Sequence, residues 1–152
     1  MHVIAAKAVA FGEALRPEFK TYSQKVIDNA QALATGLLDE GFRLTSGGTD
    51  NHMVLVDLRS FNVSGKEAEL ALDNAAIHTN KNMIPYDPAK PTVTSGIRLG
   101  TPAVTTRGFG PGELKQVSAW IGEIVRDIHN ETLQERIRQD VKMLCESFPV
   151  PA

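Results

Sequence analysis

The sequence predicts an α+β domain in which a small, mainly antiparallel sheet is covered by helices. Three observations lead there. Amphipathic stripes at three- and four-residue spacing mark several helices; short runs rich in apolar residues and bounded by turn residues mark strands; and their order is helix, helix, strand, strand, helix, strand, strand, helix, helix, helix. The chain has 152 residues, the size of one domain. At that length folding removes roughly 68–70% of the unfolded chain's surface from water.

Val3 to Leu15 is helical and apolar on most sides, broken only by Lys7, Gly12 and Glu13. A helix apolar on most of its circumference is normally buried on most of it, so this segment is expected to leave an apolar face that the rest of the chain does not cover. Pro17 suits the first turn of a second helix, in which Phe19, Tyr22, Val26, Ala30, Leu33 and Leu37 form a stripe ended by Gly41. Strands are expected near 42–45 and 52–58. Ser64 and Glu67 have capping-box spacing, which predicts a helix from about Gly65 to Ala76. Ile77-His78-Thr79 reads as a brief strand, Asn80 to Ser95 as a long irregular loop carrying Pro85, Pro88 and Pro91, and 96–99 as a strand between Gly96 and Gly100. Thr101-Pro102 has the form of a helix start. Leu114, Val117, Ile121, Ile124 and Ile128 mark one closing helix; Leu133, Ile137, Val141 and Leu144 mark the last. The helices at 17–40, 64–76 and 111–128 are expected to cover one face of the sheet.

Composition narrows the function classes. The net charge is −2, with 16 basic and 18 acidic residues interspersed, so no basic stripe for nucleic acid is present. No apolar run approaches the roughly 20 residues of a membrane span, and Met1-His2-Val3 lacks the basic start of a signal peptide. Cys145 is the only cysteine; it excludes an intrachain disulfide and reads as a packed thiol. None of the four histidines (His2, His52, His78, His129) lies four residues from another, so no helical metal site is expected. His52 reads as a hydrogen-bonded structural residue. His129 lies near a helix C-terminus, where a partial positive charge is favourable.

The most informative stretch is Thr94-Ser95-Gly96-Ile97-Arg98-Leu99-Gly100-Thr101-Pro102-Ala103. Arg98 lies mid-strand between glycines that permit close approach of backbone or ligand. The helix start beside it offers amide donors to an anion. A guanidinium matches a carboxylate with two parallel hydrogen bonds. On residue types alone Arg98 is a carboxylate clamp, or an arginine in an internal ion pair or at a sheet edge.

That stretch, continued through Val104-Thr105-Thr106-Arg107-Gly108-Phe109, resembles the C-terminal strand-and-helix signature of the serine hydroxymethyltransferases. Asn80-Lys81-Asn82 with Pro85 and Asp87-Pro88, Gly48 to Leu58, Ser64-Gly65-Lys66-Glu67-Ala68 and His2 to Phe11 resemble the same family in the same order. The resemblance implies the small domain of a fold-type-I enzyme that uses pyridoxal 5'-phosphate to interconvert serine and glycine, with tetrahydrofolate carrying the one-carbon unit. Residues 1–16 would be the interdomain helix and 17–152 the C-terminal small domain; the large domain that holds the cofactor and its Schiff-base lysine would lie outside this chain. By the same resemblance Arg98 would bind the substrate carboxylate with Arg107 as a supporting charge, and Asn82, Lys90, Pro91 and Thr92 would contact folate. No catalytic residue would lie in this chain, which alone would be inactive. The intact enzyme would be a cytoplasmic homodimer whose partners are serine, glycine and folate, with no metal, nucleic acid or membrane. Two other readings stand beside this one. A freestanding binding or dimerisation module could descend from such a domain. An aminotransferase small domain would also carry a carboxylate-binding arginine but would lack the Asn80-Lys81-Asn82 loop.

Overall fold

The computed structural model describes residues 1–151. Six helices and four strands follow one another: α1 (His2–Ala14), α2 (Pro17–Asp39), β1 (Arg43–Leu44), β2 (Met53–Asp57), α3 (Gly65–Asn74), β3 (Asn80–Asn82), β4 (Gly96–Gly100), α4 (Pro102–Thr106), α5 (Pro111–Arg126) and α6 (Glu131–Ser147), with a 3-10 turn at Arg59–Phe61. The strands form one sheet in the order β1-β2-β4-β3, and every pair is antiparallel. The α+β class and the helix-covered sheet read from the sequence are both present.

Alternation along the strands separates the two faces of the sheet. Leu44, Val54, Val56, Ile97 and Leu99 are buried towards the helices, while Arg43, Met53 and Arg98 are exposed on the other side. α2 contributes Leu33, Ala34 and Leu37 to the core, α3 contributes Ala68, Ala71 and Leu72, and α5 contributes Leu114, Trp120, Ile121 and Ile124. α2 and α3 touch the sheet, and α5 packs against both of them. Side chains such as Leu37, Leu72, Ile97 and Ile121 are fully buried; each is worth about 1.5–3 kcal/mol relative to exposure.

The helix ends follow the sequence signals. Ser64 accepts from the Glu67 amide at 3.2 Å, and the Glu67 carboxylate accepts from the Ser64 amide at 2.9 Å. At the end of α2, Gly41 adopts φ +85°, and the amides of Gly41 and Phe42 close on Leu38 and Leu37.

One strand lies elsewhere than expected. Residues 77–79 form no strand, because α3 ends in the same closing motif with Ala76 at φ +60°. The Ile77 amide donates to Leu72 O at 2.8 Å and the Ala76 amide to Asp73 O at 2.9 Å, so the donor a strand would need is already used. The strand forms instead at Asn80–Asn82, which the sequence reading placed in the loop. Its outward residues are asparagines and its inward residue is Lys81, whose ammonium meets Glu69 of α3 at 2.6 Å. A polar strand of this kind has no apolar alternation to betray it.

α1 stands apart from this body. None of its residues is buried, its main neighbour is α2, and Ile4 and Phe11 are 64% and 68% exposed.

α2 and α5 approach each other closely at Gly36. A β-carbon at Gly36 would fall inside contact distance of the Ser118 hydroxyl and 2.9 Å from its Cβ. Gly36→Ala should therefore destabilise the fold by about 1–3 kcal/mol through overpacking. Adding Ser118→Gly should relieve the clash, so the two changes together should cost less than the sum of their separate effects in urea unfolding. Strict additivity would contradict this packing.

Candidate functional site

The uncovered face of the sheet collects the polar residues singled out in the sequence. Arg98 sits at the middle of β4, opposite Leu55 of β2 on one side and Asn80 of β3 on the other. β4 is thus paired along both edges at Arg98, and the alternation that buries Ile97 and Leu99 turns Arg98 outwards. Its side chain is exposed and has no hydrogen-bond or ion-pair partner among the described residues. The internal ion pair that remained open on residue types is absent there. Asn82 pairs with Gly96, two residues from Arg98 and on the same face. Its side chain donates to Met83 O at 2.7 Å.

The two glycines flanking Arg98 have different reasons. A β-carbon at Gly96 would stand 2.5 Å from Val56 O, 2.7 Å from the Ile84 side chain and 3.1 Å from Asn82 O. The space beside Gly96 is therefore filled by the chain itself, with Ile84 folded over the end of the open face. A β-carbon at Gly100 would meet only His52 O at 3.5 Å and Pro102 at 3.8 Å, so approach is free on that side.

The helix start after β4 adds less than its sequence suggests. α4 is five residues long, and the Thr101 hydroxyl does not cap it but donates to Val26 O at 2.8 Å. Arg107, at the end of α4, lies on the helical side of the domain. Its Nε donates to Phe148 O at 2.7 Å and its Nη2 to Cys145 O at 2.8 Å, which ties α4 to the last turn of α6. The positive charge there also opposes the negative end of the α6 dipole.

Two carboxylates that the sequence does not mark as site residues, Asp57 and Asp87, organise the edge of the open face. Asp57, at the end of β2, is buried and accepts three hydrogen bonds from the Arg59 guanidinium, at 3.0 and 3.2 Å from Nε and 2.8 Å from Nη2, and one from its amide at 3.1 Å. The Arg59 guanidinium holds its carboxyl below the usual range; burial opposes this, and Arg43 at 3.8 Å adds a weaker pull. Arg43, Thr45, Asp57, Arg59, Ile84, Pro85 and Tyr86 surround a cavity of about 290 Å³ beside this pair.

Asp87 sits in the loop between β3 and β4. Its carboxylate accepts from the amides of Ile84, Ala89 and Ser95 at 3.1, 2.9 and 2.9 Å, and from the Ser95 hydroxyl at 2.6 Å. Partial burial works to raise its pKa, but the Ser95 hydroxyl and the three amides outweigh it and hold the value at about 2. The loop carries Tyr86 and Thr94 with left-handed backbone, φ +56° and +59°. Such conformations cost about 1–3 kcal/mol each and persist only where neighbours enforce them. Lys90, Pro91 and Thr92 follow Asp87 on the exposed side of the loop. The Asp-Pro dipeptide at 87–88 was the available signal, since an aspartate accepting from the amide two residues on is a common turn device.

Residues 1–121 match the family model for serine hydroxymethyltransferase. The chain belongs to the serine hydroxymethyltransferase family. The matched span contains all four strands of the sheet together with Asn82, Lys90, Pro91, Thr92, Arg98 and Arg107, and it ends within α5. Within this family member, then, the uncovered sheet face and the loop over its end are the features that membership has to account for.

Asp57 and Asp87 are both held below the ordinary carboxylate value, so each contributes stability in its ionised form. That contribution is complete above about pH 4, the unfolded value of an aspartate, and for Asp87 is lost as the pH falls through about 2. In Asp87→Asn, the decline of the urea midpoint between about pH 4 and pH 2 should be shallower than in the parent chain. An identical acid profile would show that Asp87 is not held in this network.

Proposed function

We propose that this chain is the small C-terminal domain of a serine hydroxymethyltransferase, which interconverts serine and glycine and exchanges the one-carbon unit with tetrahydrofolate. Arg98 carries this reading: an arginine without a partner, in the centre of a rigid sheet, on the one face that no helix covers. An unpaired guanidinium so held is pre-organised for two parallel hydrogen bonds to an amino-acid carboxylate. In this proposal the helix at 1–16 joins the small domain to a large domain outside these residues, whose surface covers the apolar side chains of α1. The intact enzyme acts as a cytoplasmic homodimer.

Pyridoxal phosphate supplies the stabilisation of negative charge at the substrate α-carbon when bound. The residues of this chain do not form a cradle for it. Every lysine is exposed except Lys81, and Lys81 is committed to Glu69. Holding the cofactor therefore falls to the large domain, and this chain alone is not expected to turn over serine. What its own residues do is bind and orient. Arg98 fixes the carboxylate and with it the direction of the bonds at the α-carbon. Asn82 and the Lys90–Thr92 stretch, two residues and one loop away from it, face the folate. Arg107, assigned by family resemblance as a supporting charge, acts through the α4–α6 junction that it holds together.

Replacing Arg98 with lysine keeps the charge and removes the planar fork. Hydrogen bonds to charged groups contribute about 1.5–3 kcal/mol each, so losing one should weaken glycine binding by about ten- to a hundred-fold. Glycine and tetrahydrofolate affinities measured separately on the intact Arg98→Lys enzyme test this, with the folate value expected to change far less. Unchanged glycine affinity would remove Arg98 from the carboxylate site.

A further inference from the structure

The stretch from Met83 to Ser95 contains no helix or strand, yet one side chain sets its path. Asp87 Oδ1 accepts from Ala89 N and Ser95 Oγ, and Oδ2 accepts from Ile84 N and Ser95 N. These donors bracket the residues assigned to folate. Ile84 lies two positions after Asn82, Ala89 directly precedes Lys90, and Ser95 opens into β4, which pairs with β3 at Asn82 and Gly96. Pro85, Pro88 and Pro91 have no N–H to offer. One backbone tie closes the near turn, where Asp87 N donates to Ile84 O at 3.1 Å; others hold the far end, where Val93 N and Thr94 N donate to Lys90 O at 2.9 Å, and Gly65 N and Lys66 N at the start of α3 donate to Thr94 O and Val93 O at 3.0 Å. Between Asn82 and Lys90, the loop's side-chain anchor is the Asp87 carboxylate.

We propose that Asp87 is a positioning residue for the folate subsite. Without touching substrate, its carboxylate sets the separation of Asn82 from Lys90–Thr92, while the pairing of β4 with β2 and β3 presents Arg98. This inference rests on the assignment of Asn82 and Lys90–Thr92 to folate made under Proposed function. Two substitutions grade the effect. Alanine removes all four accepted hydrogen bonds. Asparagine can keep the Ile84 and Ser95 amides on its oxygen, and the Ser95 hydroxyl can turn to accept from its NH₂, so that only the Ala89 amide faces another donor.

The test uses the intact enzyme with Asp87→Ala, Asp87→Asn and Asn82→Ala, and measures tetrahydrofolate and glycine affinities separately. Asp87→Ala should weaken tetrahydrofolate binding by about tenfold or more while glycine changes less than about twofold, because the lost order lies in the loop alone. Asp87→Asn should fall between alanine and the parent. A purely structural role would weaken both ligands together, and that result would overturn the proposal. Unchanged folate affinity in Asp87→Ala, with Asn82→Ala impaired, would also overturn it while leaving the folate assignment standing. Unchanged folate affinity in both would remove the assignment and the proposal with it.

Discussion

The central strand β4 has a paired neighbour on each side, and the site depends on that constraint. With β2 and β3 hydrogen-bonded along its two edges, β4 has no freedom to slip. A shift of one residue would bring Arg98 into the helical core and put Ile97 and Leu99 in water. Burial of those two side chains therefore holds an unpaired cation outwards. On the open face itself, Gly96 has no side chain because Val56 O, Asn82 O and Ile84 already occupy the place of its β-carbon. The orientation of Arg98 is thus a by-product of core packing on the opposite face, and needs no partner of its own.

Much of this was legible from residue patterns. The amphipathic stripes of α2, α5 and α6, the capping box at Ser64 and the apolar run of β2 each reflect a local rule that the tertiary structure does not override. β3 was illegible for an equally physical reason. Its outward positions are Asn80 and Asn82, its inward position is a lysine neutralised by Glu69, and its pairing is supplied wholly by β4. The expectation of a strand at 77–79 failed because Ala76 took a left-handed conformation without a glycine to announce it.

Arg98 could be singled out from its setting between glycines, but its lack of a partner could not, since partners come from strands distant in sequence. Asp87-Pro88 signals a turn, but the reach of its carboxylate to Ser95 depends on the folded loop, and the Asp57–Arg59 pair has no pattern of its own in the sequence. Arg107 shows the converse. Its closeness in sequence to Arg98 suggests a shared site, whereas its guanidinium is engaged by the carbonyls of Cys145 and Phe148 at the end of α6. Family membership rests on the match over residues 1–121; the division of labour proposed from it rests on which polar groups the fold leaves unsatisfied. On the open face that group is Arg98, and over its end lies a loop anchored by a carboxylate. α1, by contrast, leaves apolar groups uncovered, Ile4 and Phe11 among them.

The central claim is that the bare face of the sheet is where the amino-acid substrate is held. A crystal structure of the intact enzyme with glycine bound tests it most directly. The expected result places both carboxylate oxygens within hydrogen-bonding distance of the Arg98 guanidinium, on the side of the sheet away from α2 and α3. A glycine carboxylate bound elsewhere, with Arg98 still facing solvent, would contradict the account.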